Sequence, residues 1–568
     1  MKRFLAFALF IGMLVSGLSP AQAAGAYSPV TDQTSARSYF KVYPLNDTAS
    51  VEMWTTMDGD GWQVLHTAKM NADGTFSPDK VLESLPRTTY RIQPGKNWAV
   101  LLDGTLAVTW ATISYDNVLN GWRSVINVAY TSDGENWSIP VQPFDPVFIT
   151  DQGLCEMWLC GYQWPHLDVD ASGRIAIGTL VIDTASKVLL KTSRDGVTWS
   201  SSASIPMPSG SRPNLWDLKA APGGGFVAIF SRADSDLPDF TALYSTYLSA
   251  GVNSSWSSPA FKASFRYGLA GPQLVQTGTN QLSLVVFSSD GSFEVETARL
   301  LFDPVLGIFP GRFETLDTVP NSYVNAQNNL ATASSGKVFA YATAVSANGA
   351  QFSRLRLMVF KDGVAQPIVN LPNSTDQNTQ IMGVHMNGNG SISVAWSGYL
   401  TPPTLATYKD GVLVSSETIP MGMTAGNSNA VFSKGGNLFT VLDYWDSGLQ
   451  QQINKSIVYQ GATLPQASKV PAILGKAKVG STLKTALPTF TSPVTGIGIT
   501  KVQWYSCSVA IPTATNSIPQ TCVPITGATK KTTKLTSKLK KKFVTVVISN
   551  QNSLGTTTLV AKSSGKVK

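Results

Sequence analysis

The stretch that decides the fold of this chain reads Ser193-Arg194-Asp195-Gly196-Val197-Thr198-Trp199. Its pattern, Ser/Thr-x-Asp-Gly-x-x-Trp, returns at residues 131–137 and at residues 56–62. Asp-Gly suits a tight hairpin turn, because glycine adopts positive φ at no steric cost. The carboxylate can accept bonds from backbone N–H groups, and the Trp can pack across the turn. The residues predicted to build these three turns are Asp58, Asp133, Asp195, Trp62, Trp137 and Trp199.

A second repeat runs through residues 90–445: an apolar strand, a turn rich in small or polar residues, and an alternating strand. Apolar residues at every second position on both sides of a turn indicate β-hairpins. Several strands in a unit of about 50 residues predict an all-β protein of the β-propeller class. Seven hairpins favour seven blades, and six or eight stay open. Residues 39–70 carry the first Asp-Gly turn and either close the ring or form a further partial blade.

The Asp-Gly turns resemble the Asp-box (BNR) turns of sialidase-like β-propellers, where they join the two outer strands of a blade. The segment Tyr90-Arg91-Ile92-Gln93-Pro94, followed by Gly104-Thr105-Leu106, is similar to the opening motif of sialidases, in which the Arg binds the substrate carboxylate. Gln93 departs from that motif. The resemblance implies a carboxylate clamp and catalytic groups at Arg91, Arg212, Arg266, Asp116 and Tyr323. A sialidase also needs a Glu beside its Tyr, and no convincing Glu partner for Tyr323 is found in the sequence.

The N-terminus has the form of a secretory signal in residues 1–23. Lys2 and Arg3 precede an apolar run that ends near Val15, and Ala21-Gln22-Ala23 suits cleavage. The apolar run is too short to span a bilayer. These features predict a secreted protein without a transmembrane anchor, extracellular or associated with the cell envelope.

The four cysteines form two local pairs, Cys155 with Cys160 and Cys507 with Cys522. Disulfides are the default in an exported protein. A zinc site is the rival interpretation, but the three histidines are scattered and no Cys-x-x-Cys occurs.

The loop of residues 151–166, DQGLCEMWLCGYQWPH, is a second candidate binding site. A disulfide closing this loop would reduce the entropic cost of presenting its aromatic side chains to a sugar. The ligand-binding candidates are therefore Trp158, Tyr162 and Trp164, together with Arg91, Arg212 and Arg266. The alternative is that the tryptophans only cap the propeller rim. No cofactor is expected, although Asp234, Asp236 and Asp239 could hold Ca²⁺.

The C-terminal part has a different composition. After the propeller (24–464), a linker (465–470) leads into residues 471–568, which resemble the Ig-like repeat of exported actinobacterial proteins. That resemblance is carried by the opening Pro471-Ala-Ile-Leu-Gly475, by Trp504 before Cys507, and by Cys522 before Ile525-Thr-Gly-Ala-Thr529. From residue 465 onward there are fifteen Lys, no Arg and no acid. This unit is a basic appendage on an acidic body.

Taken together, these patterns favour an exported binding protein for a glycan or an anionic envelope polymer, with the basic unit as an electrostatic tether and no specific nucleic-acid partner. Two alternatives stay open: a divergent sialidase-type glycoside hydrolase, and a structural envelope protein. Because a fold does not determine a function, the sequence leaves the ligand and the oligomeric state undetermined.

Overall fold

A computed structural model describes most of the chain from Thr31 to Lys568. Within that range, the segments outside the description are 34–37, 47, 58–62, 72–74, 86–88, 95–97, 151–159, 183–185, 207–213, 234–240, 252–254, 266–268, 279, 290–293, 324–329, 334–336, 348–349, 373–378, 388–389, 399–402, 419–424, 433–435, 447–450, 460–465, 468, 492–499, 516–517 and 553–554. The predicted signal peptide also lies outside the described residues.

Eight antiparallel sheets arranged in a ring make up the chain as far as Tyr459, so this part is a β-propeller. The chain starts with β1 (Thr31–Gln33), which joins the last sheet. Blade 1 is β2 (Ser38–Pro44), β3 (Ala49–Met57), β4 (Gln63–Asn71) and β5 (Lys80–Leu85). Blade 2 is β6 (Thr89–Pro94), β7 (Ala99–Val100), β8 (Leu106–Asp116), β9 (Gly121–Thr131) and β10 (Val147–Ile149).

The next three blades each have four strands in simple up-and-down order. Blade 3 is β11 (Gly161–Val169), β12 (Ile175–Ile182), β13 (Lys187–Ser193) and β14 (Ala203–Pro206). Blade 4 is β15 (Asn214–Ala220), β16 (Phe226–Ala233), β17 (Thr241–Leu248) and β18 (Ala260–Phe265). Blade 5 is β19 (Leu269–Gly278), β20 (Gln281–Ser289), β21 (Glu294–Leu301) and β22 (Glu314–Pro320).

The last three blades close the ring. Blade 6 is β23 (Ser322–Tyr323), β24 (Leu330–Thr332), β25 (Val338–Ala347), β26 (Ala350–Lys361), β27 (Val364–Ala365) and β28 (Val369–Asn370). Blade 7 is β29 (Gln380–Met386), β30 (Ile392–Ser397), β31 (Thr404–Lys409) and β32 (Val412–Thr418). Blade 8 is β33 (Ala425–Phe432), β34 (Leu438–Asp446), β35 (Gln451–Tyr459) and the N-terminal β1, which pairs with β35 at its outer edge.

The favoured count of seven blades is therefore wrong by one. Residues 39–70, expected to be closing strands or a partial blade, belong to a complete four-stranded blade that spans residues 38–85. The turn predicted at Asp58 and Trp62 stays a prediction. Residues 58–62 themselves lie outside the description, but they connect the second strand of the blade to the third. Asp133 and Asp195 follow the third strands β9 and β13.

Several of the described turns after third strands dock a blade against the preceding one. A Cβ built on Gly134 would lie 3.1–3.3 Å from blade 1 side chains, and one on Gly196 would lie 2.6 Å from the Tyr130 hydroxyl of blade 2. Tyr130 also donates a hydrogen bond to the carbonyl of Gly196 at 3.0 Å. Further around the ring, Arg299 of blade 5 donates to the carbonyl of Gly363 in blade 6 at 2.8 Å. Glycine is needed here because the backbones approach neighbouring side chains closely at positive φ.

Residues 466–568 form separate sheets with their own core. The strands are β36 (Gln466–Ala467), β37 (Ile473–Leu474), β38 (Thr482–Thr485), β39 (Phe490–Thr491), β40 (Lys501–Cys507), β41 (Cys522–Pro524), β42 (Thr532–Lys534), β43 (Phe543–Asn552) and β44 (Gly555–Val560), with a 3₁₀ turn at Ser537–Leu539. The core surrounds the fully buried Trp504, and the predicted Cys507–Cys522 disulfide joins β40 to β41. Two residues of the predicted linker, Gln466 and Ala467, belong to this unit because β36 pairs with β39. The Ig-like assignment stays a prediction.

The 3₁₀ turn at Ser537–Leu539 is the helical element of the described chain. Within the described residues, no helix is long and apolar enough to cross a membrane.

Candidate functional site

The two faces of the propeller differ in the connections that they carry. The turn face carries the hairpins between first and second strands and the turns between third and fourth strands, which include Asp133 and Asp195. The loop face carries the second-to-third connections and the segments that lead from one blade to the next. This strand order places residues 91, 116 and 160 at the loop face.

Most of the predicted carboxylate clamp lies beyond what the structure describes. Arg91 occupies β6, opposite Ile113, and Tyr323 occupies β23, opposite Ala344, but neither side chain is described. The other predicted residues outside the described part are Arg212, Arg266, Trp158, Cys155 and the acidic segment 234–239. Convergence of the three arginines therefore stays a prediction.

Asp116 stands at the end of β8, where its carboxylate is bonded to its own turn. Its Oδ1 accepts hydrogen bonds from the backbone N–H groups of Val118, at 2.9 Å, and Leu119, at 3.0 Å. Asp195 makes the same two bonds at the turn face, to residues two and three positions further on. The catalytic role implied for Asp116 stays a prediction, and the observed bonds give this carboxylate a structural role.

The innermost strands contain a recurring β-bulge, and it brings aromatic residues to the loop-face half of the ring. The register shifts within the innermost strand of seven of the eight blades: β2, β6, β11, β15, β19, β29 and β33. A bulge adds an unpaired residue and re-aims the side chains beside it. The residues at the bulges of blades 2, 3 and 4 include Tyr90, Trp164 and Trp216, respectively.

Trp164 is the exposed aromatic side chain in this series. Its backbone has φ +43° and its side chain is 39% exposed. Positive φ is uncommon for a bulky residue, and such outliers cluster at functional sites. Trp216 differs, because it is half-buried and donates from Nε1 to the Ser231 hydroxyl at 2.7 Å. Among the bulge residues whose side chains are described, Trp164 is therefore the exposed aromatic residue.

Tyr162 anchors the strand that presents Trp164. Its hydroxyl donates to the carbonyl of Asp145 at 2.7 Å, its ring packs against Phe144, and its backbone N–H donates to the Ser124 hydroxyl at 3.0 Å. The side chain is buried. The predicted ligand contact for Tyr162 does not fit this burial, and the bulge explains the difference, since it turns Trp164 outward while Tyr162 points into the interface between blades 2 and 3.

Cys160 is buried immediately before this strand and takes part in a disulfide, as the sequence predicts. Its predicted partner, Cys155, lies outside the described residues. The cysteine packs with Ile113 and Ile149 of blade 2, and Trp122 lies against the same cluster. Trp122 in turn makes an edge contact with Tyr115, with ring centroids 5.2 Å apart. The loop face of blades 2 and 3 thus combines a covalently braced strand with several aromatic rings.

A cavity of about 520 Å³ lies on the ring axis, lined by residues from all eight blades. Its charged groups are concentrated on β11 and β15. Burial disfavours the charge on Lys219, but Asp168 and Asp217 more than offset that effect, so the pKa of Lys219 is raised. The carboxylates are themselves bonded to the next blade: Asp168 accepts the N–H of Ala220 at 2.7 Å and Asp217 accepts the N–H of Leu274 at 2.9 Å. This cluster ties blades 3, 4 and 5 together at the axis.

The histidines beside the axis have structural surroundings. His166 Nε2 lies 3.1 Å from the carbonyl of Leu215, and burial lowers the pKa of His385, which stacks on Phe432. Across the described chain, no three His, Cys, Asp or Glu side chains are grouped so that they could hold a metal ion.

A second cavity, of about 570 Å³, was not predicted. It lies at the turn face between blades 3 and 4 and is lined by Arg194, Trp199 and Trp256. Trp256 forms an isolated antiparallel β-bridge with Leu248, as Trp199 does with Ser193. In blade 1, Phe76 makes the corresponding bridge to Met70. A Ser directly follows each of these aromatic residues, as in Trp256-Ser257 and Phe76-Ser77. This aromatic-Ser pair is the sequence signal that would have predicted these turns.

No protein-family model and no curated protein sequence matches the chain. Solved structures with a similar strand arrangement include polysaccharide lyase Uly1, at 11% identity over 77% of this chain and 97% of the lyase, with a TM-score of 0.37. An α-L-arabinanase of Penicillium chrysogenum has 15% identity over 66% of this chain and 94% of the enzyme, with a TM-score of 0.33. The intramolecular trans-sialidase of Ruminococcus gnavus has 11% identity over 66% of this chain and 93% of the enzyme, with a TM-score of 0.32. At these values the similarities carry no argument about activity, and the assignment to the β-propellers rests on the strand order of the chain itself.

Proposed function

We propose that this chain is an exported binding protein that recognises a glycan at the loop face of blades 2 and 3. The observation that carries the proposal is Trp164, an exposed indole on a β-bulge at positive φ. An exposed aromatic face stacks against the C–H groups of a sugar ring. Because Tyr162 and the disulfide at Cys160 hold the strand, the binding surface is ordered before the ligand arrives, which lowers the entropic cost of binding.

Binding is favoured over hydrolysis by the state of Asp116. One oxygen of its carboxylate, Oδ1, accepts hydrogen bonds from two backbone N–H groups of its own turn, whereas a general acid must reach the substrate. The sialidase-type hydrolase remains the second candidate, carried by the Tyr90–Pro94 motif. A purely structural envelope protein is the third, and the exposed Trp164 disfavours it.

In the same proposal, the C-terminal unit tethers the protein to an anionic polymer of the cell envelope. All fifteen of its lysines are exposed, and residues 465–568 contain no acid to neutralise them. Attachment by exposed charges weakens as salt is added, because screening acts over about 8 Å at physiological ionic strength.

The test of the glycan site is Trp164→Ala against Trp164→Phe, with Val305→Ala as a control on the turn face. The full chain is screened on an array of neutral and acidic oligosaccharides, and the strongest ligand is titrated by calorimetry. We expect Trp164→Ala to weaken binding by about 30-fold, as for a hot-spot aromatic residue. Trp164→Phe retains an aromatic face and should lose far less. Equal affinity in wild type and Trp164→Ala would refute the site.

The hydrolase alternative is tested with a fluorogenic sialoside. We expect no turnover above that of an Arg91→Ala variant. Turnover that depends on Arg91 would replace binding by hydrolysis as the function of this face.

A further inference from the structure

The lysines of the C-terminal unit are not spread evenly over it. Three segments that are distant in sequence, residues 476–481, 534–542 and 565–568, lie side by side and carry nine of the fifteen lysines. Those nine are Lys476, Lys478, Lys534, Lys538, Lys540, Lys541, Lys542, Lys566 and Lys568. We call this surface the lysine pole.

Backbone hydrogen bonds hold the three segments together. The N–H of Lys541 donates to the carbonyl of Val567, and the N–H of Val567 donates to the carbonyl of Lys542, both at 2.9 Å. The N–H of Lys568 donates to Ala477 at 2.9 Å, and the N–H of Val479 donates back to Lys568 at 3.0 Å. The C-terminal residues thus lie between the other two segments, and the lysines of all three converge.

The alternation of buried and exposed residues turns these lysines outward. Leu535, Leu539 and Val567 are buried in the core of the unit, and all nine lysines beside or between them are exposed. Like charges gathered this closely repel one another, and no acid occurs in residues 465–568 to offset the repulsion. A polyanion would remove that cost on binding.

We propose that the lysine pole binds a linear phosphodiester polymer of the polyol-phosphate type. This rests on the tether function proposed above and narrows it to one surface and one partner chemistry. Lysine is a common phosphate binder that acts as a compact point charge, whereas bidentate recognition of a phosphate or a carboxylate uses the planar fork of arginine, and this unit has no arginine. A flexible polymer with one charge per repeat suits a surface of mobile ammonium groups.

Two other polyanions fit the surface less well. Arg, Asn, Gln and stacked aromatic side chains supply much of the base recognition in nucleic acids, and the three segments contain none of these four. Membrane-surface binding combines basic residues with apolar side chains that enter the lipid. The large apolar side chains of the three segments are buried or half-buried.

The experiment compares two triple variants of the full chain with the same change in charge. The pole variant is Lys478→Gln, Lys542→Gln and Lys566→Gln, one from each segment. The control variant is Lys469→Gln, Lys501→Gln and Lys530→Gln, all outside the pole. Lys501 pairs with Ser549, which lies seven residues along β43 from Lys542 of the pole. At ~3.3 Å per residue, Ser549 is roughly 23 Å from Lys542. Thermal melting confirms that both variants are folded.

Binding is measured to four probes: poly(glycerol phosphate), polygalacturonate, double-stranded DNA and anionic phospholipid vesicles. We expect the tightest binding to poly(glycerol phosphate), lost when salt is raised from about 50 mM to about 500 mM. The pole variant should weaken it by about 100-fold and the control variant by about threefold. Equal losses in the two variants would overturn the pole while leaving the tether intact. Tighter binding to another probe would overturn the phosphodiester assignment, and no binding to any probe would overturn the tether itself.

Discussion

At the scale of single residues, several of the described carboxylates bind backbone N–H groups. Asp133, Asp195 and Asp303 each accept two such bonds within their own turns. Asp168 and Asp217 accept them from the neighbouring blade. Acceptance of several N–H bonds stabilises the ionised carboxylate. The backbone bonds from Thr198 and Val197 accordingly lower the pKa of Asp195 to about 2.

The first prediction concerns the pH dependence of this turn. The folded pKa of Asp195 lies below its unfolded value of 3.8, so its stabilising effect is complete above that value and is lost as the pH falls towards 2. Asp195→Ala should therefore lower the melting temperature at pH 6, and the difference from wild type should shrink at pH 2.5. Asp195→Asn keeps an acceptor oxygen, so its melting temperature at pH 6 should lie between those of wild type and Asp195→Ala. A difference that does not change with pH would contradict this account.

At the scale of strands and turns, polar side chains connect each blade to the next. Glu83 on the outermost strand of blade 1 accepts hydrogen bonds from Trp110 and Asn127 in blade 2. Asp317, on the outermost strand of blade 5, pairs in the same way with Tyr341 and with Arg356 in blade 6. Burial raises the pKa of Glu83 against the opposing effect of Trp110 and Arg123. These connections come from equivalent strands, although the residue types differ.

The second prediction tests the docking of the turn glycines. In Gly196→Ala the new methyl group would clash with the Tyr130 hydroxyl, 2.6 Å away, at φ +74°. Gly104→Ala is the matched control, because φ is +89° and no atom lies within 4 Å of the position that its new methyl group would take. In the control, the free energy of unfolding should fall by only about 1 kcal/mol, because alanine disfavours positive φ. Gly196→Ala should lose a further ~1–3 kcal/mol from overpacking. Equal losses in urea denaturation would show that the contact with Tyr130 has no energetic weight.

At the scale of the whole molecule, one short strand closes the ring. β1 pairs with β35 through Thr31, Asp32 and Gln33, which lie opposite Ser456, Lys455 and Asn454. Beside this closure, the Ser456 hydroxyl donates to the buried Glu52 of blade 1 at 3.0 Å. Contacts between residues about 400 positions apart therefore join the two ends of the propeller. Without β1, the outer edge of β35 would be an unpaired strand.

The third prediction tests this closure by truncation. A chain beginning at residue 31 keeps β1 and should melt at the same temperature as one beginning at residue 24. A chain beginning at residue 38 lacks β1, and we expect a lower melting temperature and aggregation through the exposed strand edge. Equal melting temperatures for the chains beginning at residues 31 and 38 would show that β1 contributes nothing to the closed ring.

The sequence by itself determined the features that depend on neighbouring residues. Asp133 and Asp195 bond to N–H groups two and three positions away, so a seven-residue pattern is enough to predict their turns. The same holds for period-2 alternation and for the local cysteine pair at Cys507 and Cys522. Each of these interactions is complete within a short segment.

Only the tertiary structure decided the number of blades, the opposite burial of Tyr162 and Trp164, and the convergence of the lysines. The physical reason is that each depends on pairing between distant segments. A strand's place in its sheet decides which face its turn occupies, and a bulge decides which side chain turns outward. The lysine pole forms because the C-terminal residues hydrogen-bond to segments around Ala477 and Lys541. No local pattern in the sequence carries that information.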